Sequence, residues 1–430
     1  MNRFPYDAVV FDLDGTLCDA EEGIVSSVKY AMEQLRCPVP ENANLSLVVG
    51  PPLRDSFRDL LGVPAEQVEK AMDLYRVDFH ARGRFLYSVY SGIRTLLRML
   101  RTHGVHTAVA TSKPLGLAKD ILDYFGLTPL FDVVMGEVEG AEKLGKPELI
   151  RRALPETYEC AAMVGDRKFD VEGAKAAGID SIGVAYGCGT VEELEQAGAT
   201  HIVQTTEELR DLLCPGAQTP RGFFLTVEGP DGSGKTTQVD RLEKNLRHFG
   251  FNVRRTREPG GCAISEAIRG IILDTKNMEM CDTCEALLYA AARAQHVHQV
   301  IRPAVANGEL VLCDRFVDSS VAYQGGGREL GVKTIQQIND PAVDGMLPDA
   351  TLYLAIDHRE ALSRRLAAST PDRLELQAVS FHGRVQAAYE QLISEDEGRF
   401  LVVNAAQDRD SVEKDALKAV IDRISAYELR

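Results

Sequence analysis

The sequence predicts an α/β protein of two parallel-sheet domains in tandem, each sheet covered by helices. Three observations lead there. At ~100–200 residues per domain, a chain of 430 residues is too long for one core and fits two or three. Short apolar runs alternate with longer amphipathic stretches along the chain, the pattern of βαβ units. One segment breaks that alternation: Cys214-Pro-Gly-Ala-Gln-Thr-Pro-Arg-Gly222 packs prolines and glycines between a helical run at 206–213 and a new apolar strand. The expected organisation is a domain over 1–213, a linker over 214–221 and a second domain over 222–430.

In the first domain the apolar runs at 8–11, 107–110, 133–135, 161–164 and 181–184 read as strands. In the second, the strands are expected at 223–227, 252–255, 310–313, 351–354 and 400–403. The two sets share architecture but no sequence repeat. Between the first two strands of the first domain lies a long helical stretch, in which Ile24, Val25, Val28, Ala31, Met32 and Leu35 follow one helix face. An insertion there, at about 18–88, would sit over the strand ends where open α/β sheets bind ligands. It reads as a helical cap.

Composition narrows the function classes. Hydrophobic residues at 45% and charged residues at 26% suit a globular protein. A formal net charge of −16 opposes nucleic-acid binding, which needs a basic face. The start of the sequence lacks a signal-peptide pattern, and no apolar run approaches the ~20 residues of a membrane span. A cytoplasmic protein with no membrane partner is expected. The nine cysteines are odd in number and sparsely spaced, so they read as reduced thiols. Cys281 and Cys284 form a CxxC with no second pair to complete a zinc site.

The first domain carries four separated signatures. Asp12-Leu13-Asp14-Gly15-Thr16 follows an apolar strand, so both carboxylates leave its C-terminal end on one side. Asp12 can attack phosphorus to form an aspartyl-phosphate, while Asp14 protonates the leaving alkoxide and later deprotonates water. Thr111-Ser112, Lys146-Pro147 and Gly165-Asp166-Arg167-Lys168-Phe169-Asp170 follow in order. A phosphoryl group in transit needs a hydroxyl (Thr111), a cation (Lys146) and a metal. Mg²⁺ takes a few carboxylates plus water, which Asp12, Asp166 and, through water, Asp170 can supply. With these motifs the domain resembles the haloacid dehalogenase-like hydrolase superfamily, in its phosphoglycolate-phosphatase-like branch with a helical cap. The resemblance implies that Asp12 is the nucleophile, Asp14 the acid/base and Asp166 a metal ligand, with the backbone carbonyl of Asp14 also on Mg²⁺. Its substrate is expected to be a phosphomonoester, a nucleoside 5′-monophosphate or phosphoglycolate. Arg54 reads either as a contact to that anion or as a solvated surface residue.

The second domain opens with Gly229-Pro230-Asp231-Gly232-Ser233-Gly234-Lys235-Thr236, a match to G-x-x-x-x-G-K-[ST] between a strand and a helix. Its glycines let N–H groups face ATP phosphates, Lys235 reaches the β and γ groups, and Thr236, followed by Thr237, offers Mg²⁺ a hydroxyl. Arg257-Glu258-Pro259-Gly260-Gly261, Tyr289-Ala-Ala-Ala-Arg293, Asp314-Arg315-Phe316 and Tyr323-Gln324-Gly325 complete a set that resembles thymidylate kinase over 222–430. By that resemblance Tyr289 stacks on thymine, Arg293 bonds its exocyclic oxygen and Arg315 grips the dTMP phosphate. Arg257 and Gln324 belong to the same substrate site, Asp231 and Glu258 face the sugar and phosphate region, and Tyr323 disfavours a 2′-hydroxyl. The resemblance also implies a homodimer through this half.

One feature departs from the relatives. The phosphate loop contains no arginine, and the resemblance then implies a basic lid that supplies the charge-stabilising cation. Arg364, Arg365 and Arg373 flank a stretch of small and apolar residues, and Arg373 is the expected catalytic contact. The whole chain thus reads as a bifunctional phosphoryl-transfer enzyme, dTMP kinase plus phosphomonoesterase. The alternatives are one live enzyme beside a regulatory or scaffolding domain, or a P-loop switch that would need no base-facing Tyr289 and Arg293.

Overall fold

In the computed structural model, residues 4–40, 43–49, 53–138, 140–368 and 377–428 are described, with only the backbone for 366–368. The chain divides into two compact units, Met1–Gln218 with His248–Gly250, and Thr219–Arg247 with Phe251–Arg430.

The first unit contains strands β1 (Ala8–Phe11), β2 (Cys18–Asp19), β3 (Ser88–Val89), β4 (His106–Pro114), β5 (Val133–Glu137), β6 (Ala161–Gly165), β7 (Asp180–Val184) and β8 (His201–Val203). Six of these form one parallel sheet in the order β5-β4-β1-β6-β7-β8. The central strand β1 is buried throughout, which is why its residues are all apolar. Val10, Ala108, Ala110 and Met163 pack against Leu149, Ile150, Ala153 and Ala174 from two covering helices. Each large apolar side chain so buried contributes ~1.5–3 kcal/mol.

β2 and β3 pair antiparallel, Cys18 with Val89 and Asp19 with Ser88. Between them run the helices Glu21–Gln34 and Val68–Ala81. Ile24, Val28, Ala31 and Met32 are buried, as the helical spacing requires, together with Ala71, Tyr75 and Phe79. Gly23 and Gly83 allow close approach here: a Cβ on Gly23 would collide with the Gly83 carbonyl oxygen. Ser27 Oγ donates to Asp78 at 2.8 Å within this contact.

The second unit has strands β9 (Phe223–Glu228), β10 (Val253–Arg257), β11 (Leu310–Asp314), β12 (Ala350–Ala355) and β13 (Phe400–Asn404). They form one parallel sheet in the order β10-β11-β9-β12-β13. Phe224, Val311, Cys313 and Phe316 pack with Val343 and Met346, while Tyr353, Tyr389, Val385 and Ile335 form a second apolar cluster.

All ten strands expected from the apolar runs are present, most with ends displaced by one to several residues. β2, β3 and β8 are additional to them. They are two or three residues long, too short for any periodicity to register. All nine cysteines are free, and Cys281 and Cys284 are both exposed at the start of the helix Asp282–His296. No described helix is long and apolar enough to cross a membrane.

A charged pair is built into the second unit. Arg399 donates to both oxygens of Asp318, at 2.6 and 3.0 Å, and to Thr351 Oγ1 at 2.7 Å. The Asp318 side chain is only 4% exposed, so its carboxylate depends on that guanidinium. Arg399→Met is expected to destabilise this unit by ~3 kcal/mol, because it strands a buried charge. The check is the urea midpoint of the transition reporting this unit, with partial recovery on adding Asp318→Asn.

Candidate active sites

The first site forms where β1, β4 and β6 end together. Asp12 follows β1 directly, and its N–H donates to the Val164 carbonyl at 2.9 Å, which places it beside the end of β6. Asp166 follows β6, and Asp170 lies in the first turn of the helix Lys168–Ala177, accepting the Arg167 N–H at 3.1 Å. One oxygen from each of Asp12, Asp166 and Asp170 lies within 4.8 Å of the others. Lys146 Nζ sits 2.9 Å from Asp12 and 2.6 Å from Asp170. Thr111, expected to contact phosphate, is buried on β4, and its Oγ1 accepts the Lys113 N–H at 3.2 Å.

The carboxylates are under electrostatic stress. Burial pushes Asp166 up to about 8, with Asp170 and Asp12 adding to the effect. Burial also raises Asp170, to about 6, against the lowering influence of Lys146. Asp14 is pushed above the ordinary carboxylate range by burial despite a lysine beside it. Oδ1 of Asp14 is buried without a hydrogen bond from the described residues, while Oδ1 of Asp12 and of Asp170 is buried against the Lys146 ammonium. The oxygens that Asp12, Asp166 and Asp170 gather here fit a hard divalent cation.

Glycines make the approach possible. A Cβ on Gly15 would collide with an Asp166 carboxylate oxygen, and one on Gly189 would collide with the Asp166 carbonyl. The Cys188 N–H donates to Asp166 Oδ2 at 2.9 Å. Sequence reasoning misses this 187–189 segment, although its Gly-Cys-Gly just after the fifth expected strand is a usable signal. It misses Lys113 as well. The Lys113 Nζ lies 2.9 Å from Asp14 Oδ2 and donates to the Tyr87 hydroxyl at 2.9 Å. Lys113 follows Thr111-Ser112 immediately, and that position is the signal that could find it. Arg54 pairs with Glu69 at 2.9 Å on the surface.

The second site is a cavity of about 910 Å³ along the ends of β9, β10 and β11. Asp231, Gly232, Ser233, Gly234, Lys235, Thr236 and Thr237 line one end. Lys235 begins the helix Lys235–His248, and its Nζ donates to the carbonyls of Gly229 and Pro230, each at 2.9 Å. Burial and the nearby Arg315 push that amine down to about 8. Gly232, at φ +88°, sits where a Cβ would collide with the Ala361 carbonyl, so the helix His358–Ala368 lies directly against the loop. Asp314 Oδ1, at the end of β11, is buried without a hydrogen bond from the described residues. Both Ser233 and Asp314 line the cavity, and the pairing of hydroxyls with an unsatisfied carboxylate there suits Mg²⁺.

Arg315, Asp231 and Tyr323 form one cluster. Arg315 bonds Asp231 and Gly229 and lies over the Tyr323 ring, and the Tyr323 hydroxyl donates to Asp231 at 2.8 Å. Burial alone would raise Asp231, yet Arg315 and Lys235 hold it below the usual carboxylate range. Glu228, beneath the loop, accepts from the Phe316 N–H, Ser319 and Tyr389 at 2.6–2.8 Å, and burial with Asp318 nearby pushes it up to about 7.

Arg257, Glu258, Tyr289, Arg293, Tyr323 and Gln324 all line the same cavity. Glu258 is clasped on both oxygens, by Arg293 Nε at 2.8 Å and His296 Nδ1 at 3.0 Å. The Arg293 guanidinium also bonds Asn339, the Phe316 carbonyl and Ser320, so it is a fixed wall of the cavity rather than a swinging arm. His296 is a further residue that sequence reasoning misses; it lies three residues after Arg293 on one helix. Arg364 and Arg365 line the cavity from the helix beside the loop. Arg373, the expected catalytic arginine, lies outside the described residues.

Known proteins resemble each unit separately. The family model for thymidylate kinase matches residues 227–416, and that for haloacid dehalogenase-like hydrolase matches residues 9–184. Thymidylate kinase from Bacillus pumilus (strain SAFR-032) is 43% identical over 210 residues, which is 48% of this chain and 99% of that protein. Its counterpart from Geobacillus sp. (strain WCH70) is 47% identical over 206 residues, 47% of this chain and 98% of that one. Among solved structures, a predicted phosphatase from Clostridium acetobutylicum is 42% identical, covering 48% of this chain and 97% of its own, with a TM-score of 0.44. Through its second unit the chain belongs to the thymidylate kinase family, and in it that kinase is fused to a phosphatase of the haloacid dehalogenase-like family formed by the first unit.

Proposed function

We propose that the protein is bifunctional: the second unit transfers the γ-phosphoryl group of ATP to dTMP, and the first hydrolyses a phosphomonoester through an aspartyl-phosphate. The observation that carries the kinase reading is the single cavity that joins Lys235 and its loop to Tyr289, Arg293 and Gln324. The thymidylate kinase relatives support the same substrate.

In the kinase, loop N–H groups and Lys235 hold the ATP phosphates while Arg315 orients the dTMP phosphate for in-line attack. A dTMP phosphate oxygen bonds the γ-phosphorus as the bond to ADP breaks. Tyr289 stacks on the base, Arg293 donates to its exocyclic oxygen, and Tyr323 fills the space a 2′-hydroxyl would need. Arg257 and the clasped Glu258 close the sugar and phosphate end. Arg365, on the helix packed against Gly232, joins Arg373 as a candidate for the charge-stabilising arginine.

In the phosphatase, an Asp12 oxygen bonds phosphorus and the ester P–O bond breaks, with Asp14 giving its proton to the departing alkoxide. Water then attacks the aspartyl-phosphate, Asp14 takes up its proton, and inorganic phosphate leaves. Lys146 and Thr111 steady the phosphoryl oxygens, and Lys113 holds Asp14 in place. Mg²⁺ bound by Asp12, Asp166 and the Asp14 carbonyl in one site, and by Thr236 with Asp314 in the other, would neutralise phosphoryl charge. A nucleoside 5′-monophosphate or phosphoglycolate is the proposed substrate. Hydrolysis of dTMP itself should be slow, since it would drain the kinase of its acceptor.

ATP-dependent turnover of dTMP, dUMP, dCMP and dGMP by the full chain tests the kinase. Selective dTDP formation, lost ~10²–10³-fold in Lys235→Ala, is expected; equal turnover of all four nucleotides would overturn the assignment. For the phosphatase, Asp12→Asn should lower phosphate release by about 10⁴-fold while dTDP formation continues. Retained hydrolysis in that variant would rule out the aspartyl-phosphate. Mg²⁺ at ~100 times its dissociation constant should stabilise the first unit by ~2.7 kcal/mol, seen as a higher melting temperature. Asp166→Asn should melt higher than the unmodified chain without Mg²⁺, through relief of the burial penalty on its charge and of the repulsion from Asp170 and Asp12, and should lose most of the response to the ion.

A further inference from the structure

Glu285 takes no part in the mechanism above, yet it is completely buried one helical turn before Tyr289. Its Oε1 accepts a hydrogen bond from Gln324 Nε2 at 2.9 Å. Its Oε2 accepts from Arg328 Nη2 at 3.1 Å, and Arg328 is held in turn by Asp282 at 3.3 Å and Gln377 at 3.2 Å. Gln324 is 1% exposed and lines the cavity that Tyr289 also lines. Its Oε1 accepts no hydrogen bond from the described residues.

A glutamine amide has nearly the same shape in its two flipped orientations, so its neighbours decide which end faces a ligand. A carboxylate can only accept. Turned the other way, the amide would set Oε1 against Glu285 Oε1, two acceptors at hydrogen-bond distance with no proton between them. The ion pair with Arg328 holds the Glu285 carboxylate in place. Gln324 must therefore spend its N–H on Glu285 and present its carbonyl to the cavity.

We propose that Glu285 is a positioning residue that sets the polarity of Gln324, so that the base end of the cavity accepts a ring N–H and selects thymine or uracil over cytosine. The inference rests on the dTMP kinase reading and explains its choice of base. Thymine and uracil carry a proton on N3, whereas cytosine offers a lone pair there, which would meet the Gln324 carbonyl head-on. An unanchored glutamine would flip and serve either base. Selection between thymine and uracil, which differ only in the 5-methyl group, is independent of this device.

The test is Glu285→Gln in the full chain, with kcat/KM measured for dTMP, dUMP and dCMP. The substituted amide can offer either its carbonyl or its NH₂ group, which frees Gln324 to turn. The dTMP/dCMP ratio should fall about tenfold, the scale of one hydrogen bond left unpaired, while the dTMP/dUMP ratio changes less than about twofold. A second variant, Glu285→Gln with Gln324→Glu, restores an acceptor facing the cavity and should recover the dTMP preference. An unchanged dTMP/dCMP ratio in Glu285→Gln, or both ratios falling together, would overturn the inference. If the unmodified chain makes no dTDP, the kinase reading fails, and calorimetric affinities for the same three nucleotides then decide whether Glu285 sets the base preference.

Discussion

A parallel strand buried on both faces has no place for charge along its length, so ionic chemistry must begin where the strand leaves the sheet. Both units obey this constraint. β1 is apolar from Ala8 to Phe11 and turns acidic at the next residue, Asp12. β6 ends in Gly165 with Asp166 immediately after, and β11 carries its first charge at its last residue, Asp314. The registers of β1 with β4 and β6 bring these endings side by side, so residues far apart in sequence meet without any loop having to reach for them.

Charge concentrated in this way has to be answered locally. In the first unit one ammonium, Lys146, bridges Asp12 and Asp170, yet Asp166 remains lifted far from its ordinary range. The balance stays acidic, which suits a divalent cation held among the carboxylates. In the second unit the answer is different. Arg315 and Lys235 together hold Asp231 below its usual range, a balance that suits the proposed binding of nucleotide phosphates. Two candidate sites of different electrostatic character therefore occur in one chain of net negative charge.

Most of this is legible in the sequence because the constraint is one-dimensional: an apolar run followed at once by Asp, Gly or Lys. Asp12, Asp166 and Arg315 sit at such junctions, and Lys235 follows one across the glycine-rich loop. What escapes is chemistry fixed by three-dimensional approach. Lys113 gains meaning only when Asp14 and Tyr87 are brought to it from other elements. The 187–189 loop matters because its glycines let the backbone touch Asp166. His296 and Glu285 look like ordinary polar residues on a helix, and only burial against Glu258 and Gln324 distinguishes them. β2 and β3, at two residues each, are defined by their partner rather than by their own composition.

That small ribbon has a consequence for how such a protein diversifies. The chain leaves the first sheet and returns to it through adjacent residues, Cys18 beside Val89 and Asp19 beside Ser88. Whatever lies between is closed at its base by those pairings and by its own helix contact, and it meets the sheet through a few side-chain bonds such as Lys113 to Tyr87 and Arg167 to Val49. Lengthening, shortening or exchanging the intervening helices would leave both attachment points where they are. The first unit thus hangs its inserted helices from two adjacent points, a division that lets selection reshape the insertion while the strand ends keep their places.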